Sequence, residues 1–216
     1  MAIPHISPYP MPAEPPAPNR VAWTPDPRRA VLLIHDMQNH FLRPFTPGRP
    51  PLTELLANVA TLRDHCAALG IPVVYSAQPG AQTAEQRGLL SDFWGAGIGP
   101  DPEDARIADA VAPRQGDVHL TKWRYSAFQR TGLAELLDGW GRDQLIVCGI
   151  YGHIGVLMTA CEAFMRDIRP FVVADAIADF SAEHHRMALE YAATRCAMTV
   201  TTAGLIRELS GQVAGV

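Results

Sequence analysis

The 216-residue chain has no cysteine pair at C-x-x-C spacing, no basic cluster beyond couplets such as Arg28-Arg29, and no apolar run approaching the ~20 residues of a membrane helix. Each absence removes a class of function. The four cysteines, Cys66, Cys148, Cys161 and Cys196, are scattered through apolar segments. They read as packing residues in a reducing compartment, not as a disulfide frame or a zinc knuckle. A formal net charge of −4 with no basic patch argues against a nucleic-acid partner or an anionic-membrane surface. The first twenty residues lack the basic start and apolar core of a signal peptide, which predicts a cytoplasmic protein. Among the eight histidines there is no H-E-x-x-H pair, and His184 and His185 would sit about 100° apart on a helix, so no metal and no cofactor is expected. Residues 95–99, Gly-Ala-Gly-Ile-Gly, look superficially like a nucleotide loop. They follow Trp94 in a long connection instead of a buried strand, and no Lys-Ser/Thr comes after them.

What is present is the make-up of one globular domain, with 48% apolar and 19% charged residues. Residues 1–29 are proline-rich and predict an extended arm lying along the domain or a neighbouring subunit, with Trp23 as its anchor. Residues 30–210 form the domain and 211–216 a short tail. Apolar runs predict strands at 30–34, 71–77, 117–121, 144–148, 170–175 and 197–201. Helical spacing or capping predicts helices at 52–69, 101–111, 133–137, 155–166, 182–195 and 203–209, with Ser181 opening the fifth of these. Strands alternating with helices imply an α/β fold: a three-layer, doubly wound, mostly parallel six-stranded sheet. Residues 78–100 make a connection long and aromatic enough to be functional.

The chemistry collects at strand ends. The run Ala30-Val-Leu-Leu-Ile34 stops on His35 and Asp36, the strand before Lys122 stops on that lysine, and the strand at 144–148 runs into the turn Gly149-Ile-Tyr-Gly-His-Ile-Gly155. Strands of one parallel sheet deliver their carboxyl ends to the same edge, so these groups converge although distant in sequence. An acid beside a lysine makes a general acid/base centre; the alternatives are a structural ion pair, or an Asp36 that only caps the next turn. Gln78, Arg87 and Lys122 suit a substrate rich in carboxylate oxygens, although a loop arginine is commonly just solvated. Phe41, Phe93, Trp94, Trp123, Tyr125 and Tyr151 flank the polar groups and offer walls for a cyclic ligand.

Together with Ala77-Gln-Pro-Gly80, Glu85-Gln-Arg-Gly88 and Leu120-Thr-Lys-Trp-Arg-Tyr125, these motifs resemble the isochorismatase-like hydrolase superfamily over nearly the whole chain. The cysteine-hydrolase branch of that superfamily carries a nucleophilic thiol at the turn where this chain has Gly155. Cys161 cannot replace it, since six helical residues are ~9 Å of rise. The resemblance implies vinyl-ether hydrolysis without a thiol, with Asp36 as catalytic acid, kept protonated by burial, and Lys122 positioning it. It further implies that Gln78, Arg87, Tyr151 and Gly155 line the substrate site, and that a non-proline cis peptide lies near Ile150 and Tyr151. The implied partner is a small-molecule substrate, a cyclohexadiene carboxylate bearing an enolpyruvyl ether. With no carrier segment after Val216, 2-amino-2-deoxyisochorismate is favoured and isochorismate is second. A homodimer is implied by resemblance alone.

Overall fold

The computed structural model describes residues 3–214, with side chains to residue 212. Six strands, β1 Ala30–His35, β2 Val73–Ala77, β3 Val118–Thr121, β4 Gln144–Ile150, β5 Arg169–Ala178 and β6 Met198–Val200, form one sheet in the order β3-β2-β1-β4-β5-β6. All five strand pairings are parallel. The helices in chain order are α1 Asn39–Leu42, α2 Leu52–Ala68, α3 Ala84–Arg87, α4 Leu90–Trp94, α5 Pro102–Ala105, α6 Leu133–Gly139, α7 Leu157–Met165, α8 Ala182–Arg195 and α9 Thr202–Ala214. None of them is long and apolar enough to cross a membrane.

Alternation along the strands explains the three layers. Leu32 and Ile34 of β1 join Leu55, Val59 and Leu62 of α2 and Leu205 and Leu209 of α9 in one apolar cluster. Val31 and Leu33 face the other way, into a cluster with α6, α7 and α8 through Leu133, Leu157 and Leu189. Every residue of β1 and β4 is buried, which accounts for their unbroken apolar runs.

The arm lies on its own domain. Ile6 bridges to Phe45, the Tyr9 hydroxyl meets Asp179 and His185, and Asn19 bonds Thr199. Trp23 packs edge-on against Phe171.

Several elements differ from the sequence expectation. The helix expected over 101–111 is broken: α5 ends before Arg106, the backbone extends so that Ile107 bridges to Gln38, and only a 3-10 turn follows at Asp109–Val111. Burial of Ile107 drives that break. β4 and β5 run two and three residues further than their apolar runs, and α9 runs on to Ala214 instead of stopping at Leu209. Residues 215 and 216 of the expected tail lie outside the described residues.

Candidate active site

The strand order reverses between β1 and β4, and a crevice opens beyond their carboxyl ends, the switch point where doubly wound sheets bind ligands. The cavity there measures about 710 Å³. Nine of the residues expected at the site line it: Asp36, Phe41, Gln78, Arg87, Trp94, Lys122, Tyr125, Tyr151 and Gly155. None of the four cysteines does.

Asp36 follows β1 directly with φ of 50°, a left-handed conformation uncommon outside glycine that turns its side chain into the crevice. It is 4% exposed and held from three sides. Lys122 Nζ is 2.9 Å from Oδ2, Ser76 Oγ donates to Oδ1 at 2.7 Å, and Gln78 Nε2 donates to Oδ2 at 3.3 Å. Lys122 is only 2% exposed and is the single lysine of the chain.

The expectation that burial keeps Asp36 protonated does not hold for the free protein. Burial does push its pKa up, but the Lys122 ammonium, reinforced by the Lys122 and Ser76 hydrogen bonds, outweighs it and holds the carboxyl below the usual carboxylate range. Asp36 and Lys122 form a buried ion pair.

Arg87 is not a solvated loop residue. At the end of α3, whose start is fixed by a capping box between Thr83 and Gln86, it is 5% exposed. Nε donates to Gly95 O at 2.9 Å and Nη1 to Gln78 Oε1 at 3.3 Å. Burial lowers its pKa. The glycine stretch 95–99 wraps this guanidinium: a Cβ at Gly97 would stand 2.6 Å from Arg87 Cζ, and Gly97 has φ of 76°. The resemblance of that stretch to a nucleotide loop therefore reflects a different need for glycine.

The wall opposite comes from the turn after β4. The peptide between Ile150 and Tyr151 is cis, and residues Gly152–Val156 make one π-helical turn before α7. Asp179, fully buried at the end of β5, fastens this turn by accepting from the His153 backbone N–H at 2.6 Å. The Tyr151 hydroxyl donates to Phe41 O, and its ring packs against Phe45 and Phe180. Trp94 Nε1 donates to the Tyr125 hydroxyl at 2.7 Å. Two expected wall aromatics are elsewhere. Phe93 is 65% exposed, one position from Trp94 and hence about 100° around α4, and Trp123 does not reach the cavity.

Sequence reasoning missed four contributors. Phe180 and His40 line the cavity. Ser76 gives no signal inside its strand. Gln38 clamps the Gln78 backbone, accepting from its N–H and donating to its carbonyl, both at 2.8 Å. His35 was legible in position but not in role. Its Nδ1–H donates to Ile150 O at 2.8 Å, its Nε2 is buried without a partner, and its ring lies against Gly155, where an added Cβ would collide with Cε1. Burial lowers its pKa to about 4, so the ring is neutral.

A parallel α/β sheet with an Asp–Lys pair at its switch point and a glycine-led turn opposite defines the isochorismatase family, and the chain belongs to it: the isochorismatase domain model matches residues 30–204. Within the family the chain is 58% identical to the isochorismatase of Bacillus subtilis strain 168, over 100% of this chain and 70% of that protein. It is 54% identical to the phenazine biosynthesis protein PhzD of Pseudomonas fluorescens, over 93% of this chain and 96% of that one. A cysteine hydrolase from Pseudomonas syringae pv. phaseolicola 1448A shares the fold with a TM-score of 0.81 at 23% identity, covering 91% of this chain and 99% of its own. The chain is an isochorismatase-family hydrolase.

Proposed function

We propose that the enzyme hydrolyses the enolpyruvyl ether of 2-amino-2-deoxyisochorismate to 2,3-dihydro-3-hydroxyanthranilate and pyruvate, with Asp36 as general acid. The observation that carries this reading is the Asp36–Lys122 pair facing a cavity that no cysteine lines. A vinyl ether needs no protein nucleophile. It needs a proton on its terminal methylene carbon, which leaves an oxocarbenium ion that water captures, and the hemiketal then collapses to pyruvate and the ring alcohol. Asp36 delivers that proton once a substrate has displaced the balance of its ion pair. Lys122 holds Asp36 and the ether oxygen in register. Arg87 and Gln78 bind carboxylate oxygens, a guanidinium being able to make two parallel hydrogen bonds. Phe41, Trp94, Tyr125 and Tyr151 enclose the ring. General acid catalysis contributes ~10²- to 10⁴-fold, and the oriented cavity supplies the rest.

The relative named for phenazine biosynthesis, matched along nearly its full length, supports the amino substrate. A second reading, hydrolysis of isochorismate itself, is favoured by the higher identity to the Bacillus subtilis isochorismatase. Pyruvate release from chelator-treated protein, with the two substrates at matched concentrations, separates them. The proposal expects release without added metal and a clear preference for the amino compound. Preference for isochorismate selects the second reading, and no pyruvate from either overturns both.

A further inference from the structure

Away from the cavity, two thiols meet across the helical layer. Cys161 in α7 and Cys196 at the carboxyl end of α8 lie 35 residues apart in sequence, with their sulfurs 3.6 Å apart. The two environments are unequal. Cys161 is partly exposed, whereas Cys196 is buried where α8 turns into β6. The contact brings a partly exposed thiol, Cys161, against a buried one, Cys196. The contact lowers the pKa of Cys161 to about 7 and raises that of Cys196. Cys66 and Cys148 are buried and their thiols are pushed up, Cys66 to about 12.

We infer that Cys161 and Cys196 form a peroxide-oxidisable dithiol, with Cys161 the attacking and Cys196 the resolving sulfur. The Cys161 thiolate attacks one oxygen of hydrogen peroxide. The O–O bond breaks, a sulfenic acid forms, and the departing hydroxide takes up a proton as water. The Cys196 sulfur, already in contact, then attacks the sulfenic sulfur. An S–S bond forms, and the second hydroxide leaves with the Cys196 proton as a second water. Two thiols lose two hydrogens and one peroxide becomes two waters. The disulfide would tie α7 to α8 and close a loop of 35 residues, constraining the unfolded chain. Neither sulfur lines the cavity, so the modification leaves the reacting groups in place.

The test uses the whole reduced protein, exposed to hydrogen peroxide and then alkylated before non-reducing peptide mapping. The expected result is one intrachain Cys161–Cys196 link with Cys66 and Cys148 still free, and a raised unfolding midpoint. In Cys196→Ser the sulfenic acid at Cys161 persists and is trapped by a dione probe. In Cys161→Ser no oxidation occurs at Cys196. In the native wild type, iodoacetamide should label Cys161 with a rate that rises through about pH 7. Oxidation of Cys66 or Cys148 at a similar rate, links only between chains, or a Cys161 labelling rate that follows an ordinary thiol near pH 8.5 would each overturn the proposal.

Discussion

Stability should fall by about 2 kcal/mol between pH 7 and pH 5 on account of His35 alone. Its ring is fully buried, with one nitrogen bonded to Ile150 O and the other without a partner, so burial disfavours the imidazolium more than the neighbouring Asp36 carboxylate favours it. Its pKa drops from 6.5 to about 4 on folding. The unfolded chain therefore binds a proton below pH 6.5 that the folded protein refuses, and stability declines as pH falls through the window from 6.5 to 4, levelling off below it. Those two values give a loss of about 2 kcal/mol by pH 5 and about 3 kcal/mol by pH 4. Asp36 acts in a different window. Its folded pKa is depressed, so its contribution is present above the unfolded carboxylate value and is lost only as pH falls below it. Urea unfolding followed by tryptophan fluorescence at pH 7, 6, 5 and 4.5, on wild type and His35→Asn, isolates the histidine: the gap between the two proteins should narrow by about 2 kcal/mol from pH 7 to pH 5. Parallel curves would refute the reasoning and mean that His35 keeps an ordinary pKa in the fold.

Other substitutions probe the site directly. Asp36→Asn should lower kcat by ~10²- to 10⁴-fold with KM within a few-fold of wild type, and near-normal turnover would remove Asp36 from the acid role. Arg87→Met should raise KM roughly 10- to 100-fold, the worth of one charged hydrogen-bonding group, and an unchanged KM would place the substrate carboxylates elsewhere. Gly155→Ala forces a methyl group against the His35 ring and should cost roughly 1–3 kcal/mol in urea unfolding together with a loss of kcat; a neutral outcome would show that the ring can swing aside. Because the free enzyme holds Asp36 ionised, kcat/KM should keep rising as pH falls from 8 towards 5, while kcat levels off at higher pH. A kcat/KM plateau across that range would mean that Asp36 is already protonated before substrate arrives.

The parallel sheet was legible because strands buried on both faces are mostly apolar, and β1 and β4 are apolar but for His35 and Gln144 at their ends. Their ends were less so. An apolar run stops at Asp175, but the strand continues because that carboxylate accepts from the Thr202 backbone and hydroxyl, which lets a charged residue sit inside β5. Convergence of Asp36 with Lys122 followed from topology, since parallel strands share one edge. The state of Asp36 did not. Burial and the ammonium act in opposite directions, and only the 2.9 Å separation decides between them. The burial of Arg87 was illegible for another reason: it depends on the 95–99 stretch folding back over residue 87, a loop contact that no periodicity records. Phe93 and Trp94 are neighbours in sequence, and only the rotation of a five-residue helix puts one in water and the other in the wall.

An acid that is ionised in an ion pair can still serve as the proposed catalytic acid, and the charge balance of the cavity offers a way. Asp36 owes its low pKa chiefly to one cation, Lys122, set against a desolvation that already favours the neutral form. The proposed enolpyruvyl-ether substrate would bring two carboxylates, on the ring and on the side arm, into a cavity lined in part by aromatic walls. Those negative charges oppose Asp36 directly and draw on the same ammonium, and the ring displaces the water that screens them. In the proposed reaction both effects would raise the pKa of Asp36, so that binding would recruit the proton that catalysis then spends. On that proposal Lys122 would have two duties: it stabilises a buried carboxylate whose loss of partner would cost several kcal/mol, and in the complex it would release that carboxylate to become an acid. A site kept permanently protonated by apolar burial would not need a lysine 2% exposed at 2.9 Å from its acid; a site armed by its own substrate, as proposed, would.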